Sequence, residues 1–453
     1  MKPLNKKSIG ILVGIMFASV ILYGMNPFQL SFQNRIVLSG LLLTILLWTA
    51  DIFKKRYVST LLLLVFLLFG QTEIKTVFRF PLSSDFLMIL YAFLFSQGIV
   101  NSRVASVYGG KVLNRFGTTP LRLILMGIIF SLFSIFIIPQ PFARVILIAT
   151  LFANYLDEKK ISKDVRSTII LSLFIFATVS YMLVRNGDII LNSAMLGFGG
   201  VDIGFVDWMR YLTIPTLITG LFIFIAFLLT FRKSIFGVSI ENSPVTALVR
   251  LNPNERYATA TLLIVVALWI TEPLHGISPV MTIIAGTLAF YFLGFVKKKD
   301  LNVINIDLLF FLTAAFAIGP VMKNTGIAQI VFARLTGIFP ANFSSLYIIA
   351  LVLATMTLHM VLGSTITTLS VVIPGFLQLT AGKLAPVVLM MTTYIAVNIH
   401  YLLPFHHVTV MIGSGNGFID HRKLFRFGVI MSVLVLLSVL FVYFPWWHFI
   451  GLI

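Results

Sequence analysis

The most constraining stretch of this sequence is Phe343–Gly417, where long apolar runs are cut by polar, turn-forming residues. Phe343–Leu362 is apolar over about the 20 residues that span a bilayer. It ends at Gly363-Ser364-Thr365-Ile366-Thr367-Thr368, and a shorter apolar return, Leu369–Leu379, follows. Leu384–Ile412 is long and apolar but interrupted at Pro404-Phe405-His406-His407. Each interruption frees backbone N–H and C=O groups. At membrane depth such groups are tolerated only where they face protein or a watery cavity. Broken helices in corresponding positions of two halves are the pattern by which secondary transporters build a binding site.

Composition supports reading the apolar runs as membrane segments. Of 453 residues, 59% are hydrophobic and 11% charged, which fits a polytopic membrane protein and no soluble domain. The formal net charge is +18, but the basic residues stand in short clusters between apolar runs. They bear on membrane orientation, not on nucleic acid. The absence of cysteine excludes disulfides, thiolate metal sites and thiol nucleophiles. Ser8–Met25 follows Lys2, Lys6 and Lys7 with no small-residue cleavage site, and reads as a retained helix.

In order, spans are expected at Ser8–Met25, Ile36–Asp51, Val58–Gly70 and Asp85–Val100, then an interfacial helix within Asn101–Thr119. Leu121–Ile138 stops at Pro139-Gln140-Pro141 and resumes as Phe142–Tyr155. The second arm, about 14 residues, is short for a span, so the pair reads as a re-entrant hairpin; a single proline-kinked span is the alternative. Ser167–Val184 follows, then a glycine-rich connection through Gly187, Gly197, Gly199 and Gly200, then Tyr211–Phe231. The polar linker Arg232–Arg256 separates the halves. Beyond it come Tyr257–Ile270, Ser278–Val296, Asp307–Met322, an amphipathic Ile327–Ile338, the hairpin, the broken segment and Leu424–Phe444.

The expected fold is thus an all-α polytopic membrane protein of about eleven transmembrane helices, with two inverted repeats and two re-entrant hairpins. Residues 1–80 are N-terminal scaffold helices, 81–232 the first repeat with its hairpin at 121–155, and 233–256 a cytoplasmic linker. Residues 257–300 are further scaffold helices, and 301–453 are the second repeat with its hairpin at 343–379. The same series of elements starts at Asp85 and at Asp307, and Leu87 and Ala92 align with Leu309 and Ala314. With the N-terminus cytoplasmic and the C-terminus external, basic residues on the inside outnumber those outside by roughly three to one. Only Arg144 is left in the membrane. A plasma-membrane location follows from the short loops.

Arg144 is the sharpest single candidate for chemistry, since a charge deep in the bilayer is costly and usually faces a cavity or partner. A guanidinium offers forked donation to carboxylate, sulfate or phosphate; snorkelling to the interface is the competing reading. Gln140 lies at the same tip. Ser364, Thr365, Thr367 and Thr368 place hydroxyls at the second tip, either as ligands or as helix packing. His359, His400, His406 and His407, with Pro404, Asn398 and Thr409 nearby, either carry coupling protons or line the break with hydrogen bonds. Ser364, Thr365, Asn398, His406, His407 and Thr409 are the expected ion-coupling groups. Arg185 and Asn186 end the counterpart helix of the first half. No metal cluster or resident cofactor is expected beyond Na+ or H+ as coupling ion. There are no paired carboxylates and no phosphate-cradling loop, which speaks against an ATP-driven pump or a hydrolase.

Several of these strings resemble the divalent anion:sodium symporter family of the wider ion-transporter superfamily, over roughly Asp85 to the C-terminus. Ser364-Thr365-Ile366-Thr367-Thr368 with Pro374 is similar to the family's second Ser-Asn-Thr tip, with Thr365 where Asn and Ile366 where Thr would stand. Ser134–Ala149 is similar to the first hairpin, with Pro139-Gln140-Pro141 at its tip. Leu403-Pro404 through Gly413-Ser414-Gly415 resembles the final broken helix, with His406-His407 replacing Pro-Pro-Asn. Ile304–Ala328 is similar to the helix opening the second repeat.

The resemblance implies inverted repeats, a carboxylate or sulfate site between the two tips, an elevator-type motion and a homodimer. It also implies sodium bound with help from the tip asparagines; their replacement leaves sodium, proton coupling and anion exchange as alternatives. The expected function is secondary transport of a small anion, a di- or tricarboxylate or an inorganic oxyanion, in a lipid bilayer. The competing class is a membrane glycan polymerase or ligase acting on a lipid-linked phosphate. Such an enzyme would usually need a large external loop, and the longest here is about Arg185–Arg210.

Overall fold

The computed structural model describes residues 6–50, 52–138, 141–240, 252–328, 330, 337, 339–340, 342–363, 365–415 and 417–453. Their regular structure is helical throughout. The principal helices are α1 (Lys6–Met25), α2 (Phe32–Ala50), α3 (Lys55–Phe69), α4 (Ser84–Asn101), α5 (Val104–Phe116), α6 (Pro120–Ile137), α7 (Pro141–Glu158), α8 (Lys163–Ser180) and α9 (Ile189–Gly199). They continue with α10 (Phe205–Thr230), α11 (Pro253–Ile270), α12 (Pro279–Phe292), α13 (Ile306–Asn324), α14 (Ser345–Leu362), α15 (Thr365–Leu379), α16 (Pro386–Asn398), α17 (Val408–Gly415) and α18 (His421–Ser438). The last runs on through a π-turn, Val439–Tyr443, to Phe449. Five of the helices are long and apolar enough to cross a bilayer by length and composition. With the apolar lipid-facing surface this describes a polytopic membrane protein.

Helix starts follow local chemistry. The side chains of Ser83, Thr119, Ser162 and Ser344 each accept a backbone N–H of the first turn they precede. Asn252 and Glu255 form a reciprocal capping box at α11. Such caps satisfy the donors that a helix start leaves without partners. Gly363, at φ +66, ends α14 in the left-handed conformation that the reversal into α15 requires.

Two expectations need correction. The glycine-rich connection is a helix, α9, bounded by a short 3-10 turn at Arg185–Asp188. Its glycines serve close packing. A Cβ on Gly197 would sit 2.0 Å from Phe316 Cε1, and one on Gly199 2.0 Å from Met390 Sδ. Glycine at these positions lets α9 pack tightly against α13 and α16, so composition mimicked a loop. The second arm of the first pair, α7, has 18 residues, because the helix continues through Asp157 and Glu158. Its length therefore gives no argument for re-entry. The expected amphipathic helix at Ile327–Ile338 lies mostly outside the described residues.

The order helix, short helix or connection, helical pair, broken helix, long helix occurs from α4 to α10 and again from α13 to α18. In the first series the broken member is α8, a break at 181–188, then α9. In the second it is α16, a break at 399–407, then α17. Helices α1, α2 and α3 pack together and lay α3 on α13, while α12 leans on α4 and α11 packs on α12. The helical pairs and the broken helices pack on one another: α6 and α7 on α8, and α15 on α9 and α16.

Candidate functional site

A small cavity of about 10 Å3, near the volume one water needs, lies where both helical pairs meet both breaks. Phe142, Asp188, Ile190, Leu191, Thr365, Ile366, His407 and Val408 line it. Each of these belongs to the start of a helix: Phe142 to α7, Asp188 and the next residues to α9, Thr365 and Ile366 to α15, His407 and Val408 to α17. Four helix N-termini therefore face one point. Each carries about half a positive elementary charge, with backbone N–H groups directed outward. That is an anion-binding arrangement made largely of backbone.

The two breaks are capped alike with different chemistry. Asp188 Oδ1 accepts from Ile190 N at 3.1 Å and Leu191 N at 3.0 Å. At the matching position His407 Nδ1 accepts from Thr409 N at 3.2 Å. A ring nitrogen that accepts leaves the proton on its partner. His407 Nε2–H accordingly donates to Asn398 Oδ1 at 3.2 Å. His406 Nδ1 likewise accepts from Leu402 N and Leu403 N, at 3.2 and 3.3 Å. His359 Nε2–H donates to His406 O at 3.0 Å, and Thr365 Oγ1 to the same oxygen at 2.9 Å. The histidines thus hydrogen-bond the freed backbone around Pro404, which itself is half-buried in a one-turn 3-10 segment. The ring of His400 packs against His359 at 5.6 Å.

Arg144 is buried, 1% exposed. Its Nη1 donates to Ile138 O at 3.0 Å, and its Nη2 makes a short bond to Gly187 O. The guanidinium stands 4.7 Å from the Tyr181 ring centroid, and Tyr181 OH donates to Pro141 O at 3.3 Å. Arg144 therefore sits behind the cavity wall and ties α7 to the first break. Thr367 and Thr368 are buried further along α15. Asn398 is buried and donates to Thr178 O at 2.8 Å, linking the second break to α8. Thr409 is buried in the first turn of α17. Gln140 and Ser364 lie outside the described residues.

The sequence reading missed four buried groups here: Asp188, Tyr181, Asn192 and Tyr394. Tyr394 OH donates to Asn192 Oδ1 at 2.6 Å across the two broken helices. Asp188 carried a usable signal, a single carboxylate after Asn186-Gly187 inside an apolar run. Placing that run in a connection hid it.

A family model described as the sodium:sulfate symporter transmembrane region matches residues 5–453. The chain belongs to that family. It is the divalent anion:sodium symporter family expected from the broken segments, now matched from the first helix onward. Among curated proteins none matches the sequence. As a member of the symporter family the protein is a cation-coupled anion transporter of the membrane, and its partners are a small anion and lipid. Family membership points to transport rather than catalysis.

Proposed function

We propose that this symporter carries a small anion, a di- or tricarboxylate or an inorganic oxyanion, bound where the four helix starts converge. The convergence of α7, α9, α15 and α17 on one cavity is the observation that supports this most directly. The direct ligands are the backbone N–H groups of these first turns that Asp188 and His407 do not already cap, and the Thr365 and His407 side chains hold the turns that present them. Arg144 contributes positive charge from behind the wall instead of contacting the anion. Thr367 and Thr368 support the tip from within α15. Asn398 and Thr409 hold His407 in its accepting tautomer.

The cavity is too small for sulfate, so binding requires the starts of α7 and α15 to part from α9 and α17. A second crevice of about 390 Å3, lined by Arg79, Arg185, Asp85 and Asp202 among others, runs between the starts of α4 and the end of α9. Its two arginines are matched by two aspartates, and Arg185 pairs with the exposed Asp202 at 3.1 Å, so it is a polar crevice with no net charge. An elevator motion would slide α9 and the helical pairs along α4 and α13, as rigid bodies in two inverted repeats of a homodimer in the plasma membrane. The glycine face of α9 against Phe316 suits such sliding. Thermal stabilisation of the purified protein by dicarboxylates, citrate, sulfate and phosphate, each with and without sodium, tests the proposal. Stabilisation by at least one of these anions is expected. No response to any, together with no uptake in proteoliposomes, would reject it.

A further inference from the structure

We infer that Arg144 is a built-in cation, doing permanently for the first half of the carrier what a bound metal cation does transiently. In carriers with discontinuous helices, coupling cations are held by unwound backbone carbonyls and by the C-terminal ends of half-helices. Small alkali cations prefer such oxygen ligands. Ile138 is the C-cap residue of α6, so its carbonyl is among the acceptors that a helix end leaves open, and Gly187 O lies in the unwound turn before α9. Both oxygens are taken by one guanidinium, whose flat face also meets the Tyr181 ring. A cation over a ring face gains from the ring quadrupole.

The second half shows what is distinctive about this arrangement. Gly187 immediately precedes the capping Asp188; His406 immediately precedes the capping His407. The carbonyl at each of these positions is tied to its helical pair. His406 O receives the neutral donors Thr365 and His359. Gly187 O receives a fixed positive charge. The two halves close the same joint, one by a tethered cation and one by neutral hydrogen bonds. Arg144 is thus a positioning residue. The carrier needs no exchangeable cation at the first joint, and any coupling cation acts elsewhere. Arg144 travels with the substrate in every cycle, with Asp188 at the same break as its counter-charge.

This inference rests on the cation-coupled reading, and its test has a readout that needs no transport. Replacing Arg144 by serine opens the space between Ile138 O and Gly187 O to a small cation. In purified Arg144→Ser, sodium should raise the midpoint of thermal unfolding well beyond its effect on the native protein, with potassium much weaker. In proteoliposomes the same variant should gain a sodium requirement of about tenfold in anion uptake over the native one. Arg144→Lys keeps the charge and should show neither gain. If Arg144→Ser unfolds, soluble methylguanidinium should restore its folding where sodium does not suffice. Equal sodium dependence of midpoint in native protein, Arg144→Ser and Arg144→Lys would overturn the inference. So would an Arg144→Ser that folds and binds anion more weakly in direct titration, with no cation dependence, since that marks a direct anion ligand. Absence of uptake by the native protein would instead count against the transport reading alone.

Discussion

Asp188 stands where a substrate anion would feel it most. It is 3% exposed, lines the cavity, and caps α9 through one carboxylate oxygen. Replacing it by asparagine keeps a good capping oxygen and removes only the charge. A unit negative charge about 6 Å from the carboxylate, at an effective dielectric near 20, is repelled by roughly 3 kcal/mol. That is on the order of a hundredfold in Kd, and burial limits its screening by salt. Direct titration of Asp188→Asn with sulfate and a dicarboxylate should therefore show tighter binding than the native protein. The ligand-free variant should unfold at a lower temperature, because Arg144 is then buried without a nearby compensating carboxylate. Anion should restore the midpoint. Asp188→Ala loses the cap as well, and its stability should fall by about 1 kcal/mol more. An unchanged or weaker Kd in Asp188→Asn would refute a charged carboxylate facing the substrate.

Three further outcomes are expected. His407→Ala leaves Thr409 N–H and Asn398 Oδ1 without their ring partner, at about 1–3 kcal/mol for buried groups, and should abolish uptake. His407→Asn restores an acceptor at the cap and should retain part of both stability and uptake, read by thermal unfolding and by proteoliposome assay. Gly197→Ala places a Cβ 2.0 Å from Phe316 Cε1, and the overpacking should lower stability by about 1–3 kcal/mol, seen as a lower unfolding midpoint. At the polar end of α8, Lys423 and then Ser234 hold the Asp164 carboxyl below its ordinary value of 3.8. A depressed carboxyl stabilises at pH above the ordinary value and loses its contribution as pH falls through the lowered one. Its share of stability should stay constant from neutral pH to about pH 5 and fade below about pH 4. Asp164→Asn should remove that acid-limb difference.

What could be read from the sequence was decided by hydrophobic length and by proline and glycine. Pro120, Pro141 and Pro386 start helices where their missing N–H groups matter least, and most helix ends were found within a few residues. Pro404 with His406 and His407 located the second break, and Thr365 and His407 indeed line the junction. The first break was not found, although it is its structural counterpart. It holds no proline, and Gly187, Gly197 and Gly199 look alike in a sequence although one sits in a turn and two make close helix contacts. Arg144 was singled out correctly as a buried charge. Its partners could not be, because backbone carbonyls have no sequence signature. Ile138 O and Gly187 O become visible only when the chain is folded.

The likeness of the two halves in architecture makes their difference in charge the informative part. Both breaks are capped from the residue before the second half-helix, and both preceding carbonyls are tied to a helical pair. In the first half the cap and the tie carry opposite full charges, Asp188 and Arg144. In the second they are neutral, His407 and the Thr365–His359 donors. An anion bound between them as proposed would meet Asp188 at the wall and Arg144 behind it, charges of opposite sign that offset one another, so the backbone dipoles of the four helix starts would supply most of its attraction. Such dipoles act over one helical turn and are lost once the starts of α7 and α15 move away. Release can then follow from a small parting of the tips. A permanent charge in direct contact with the anion would oppose that step, and its displacement onto backbone carbonyls is consistent with a carrier that must let go of its cargo.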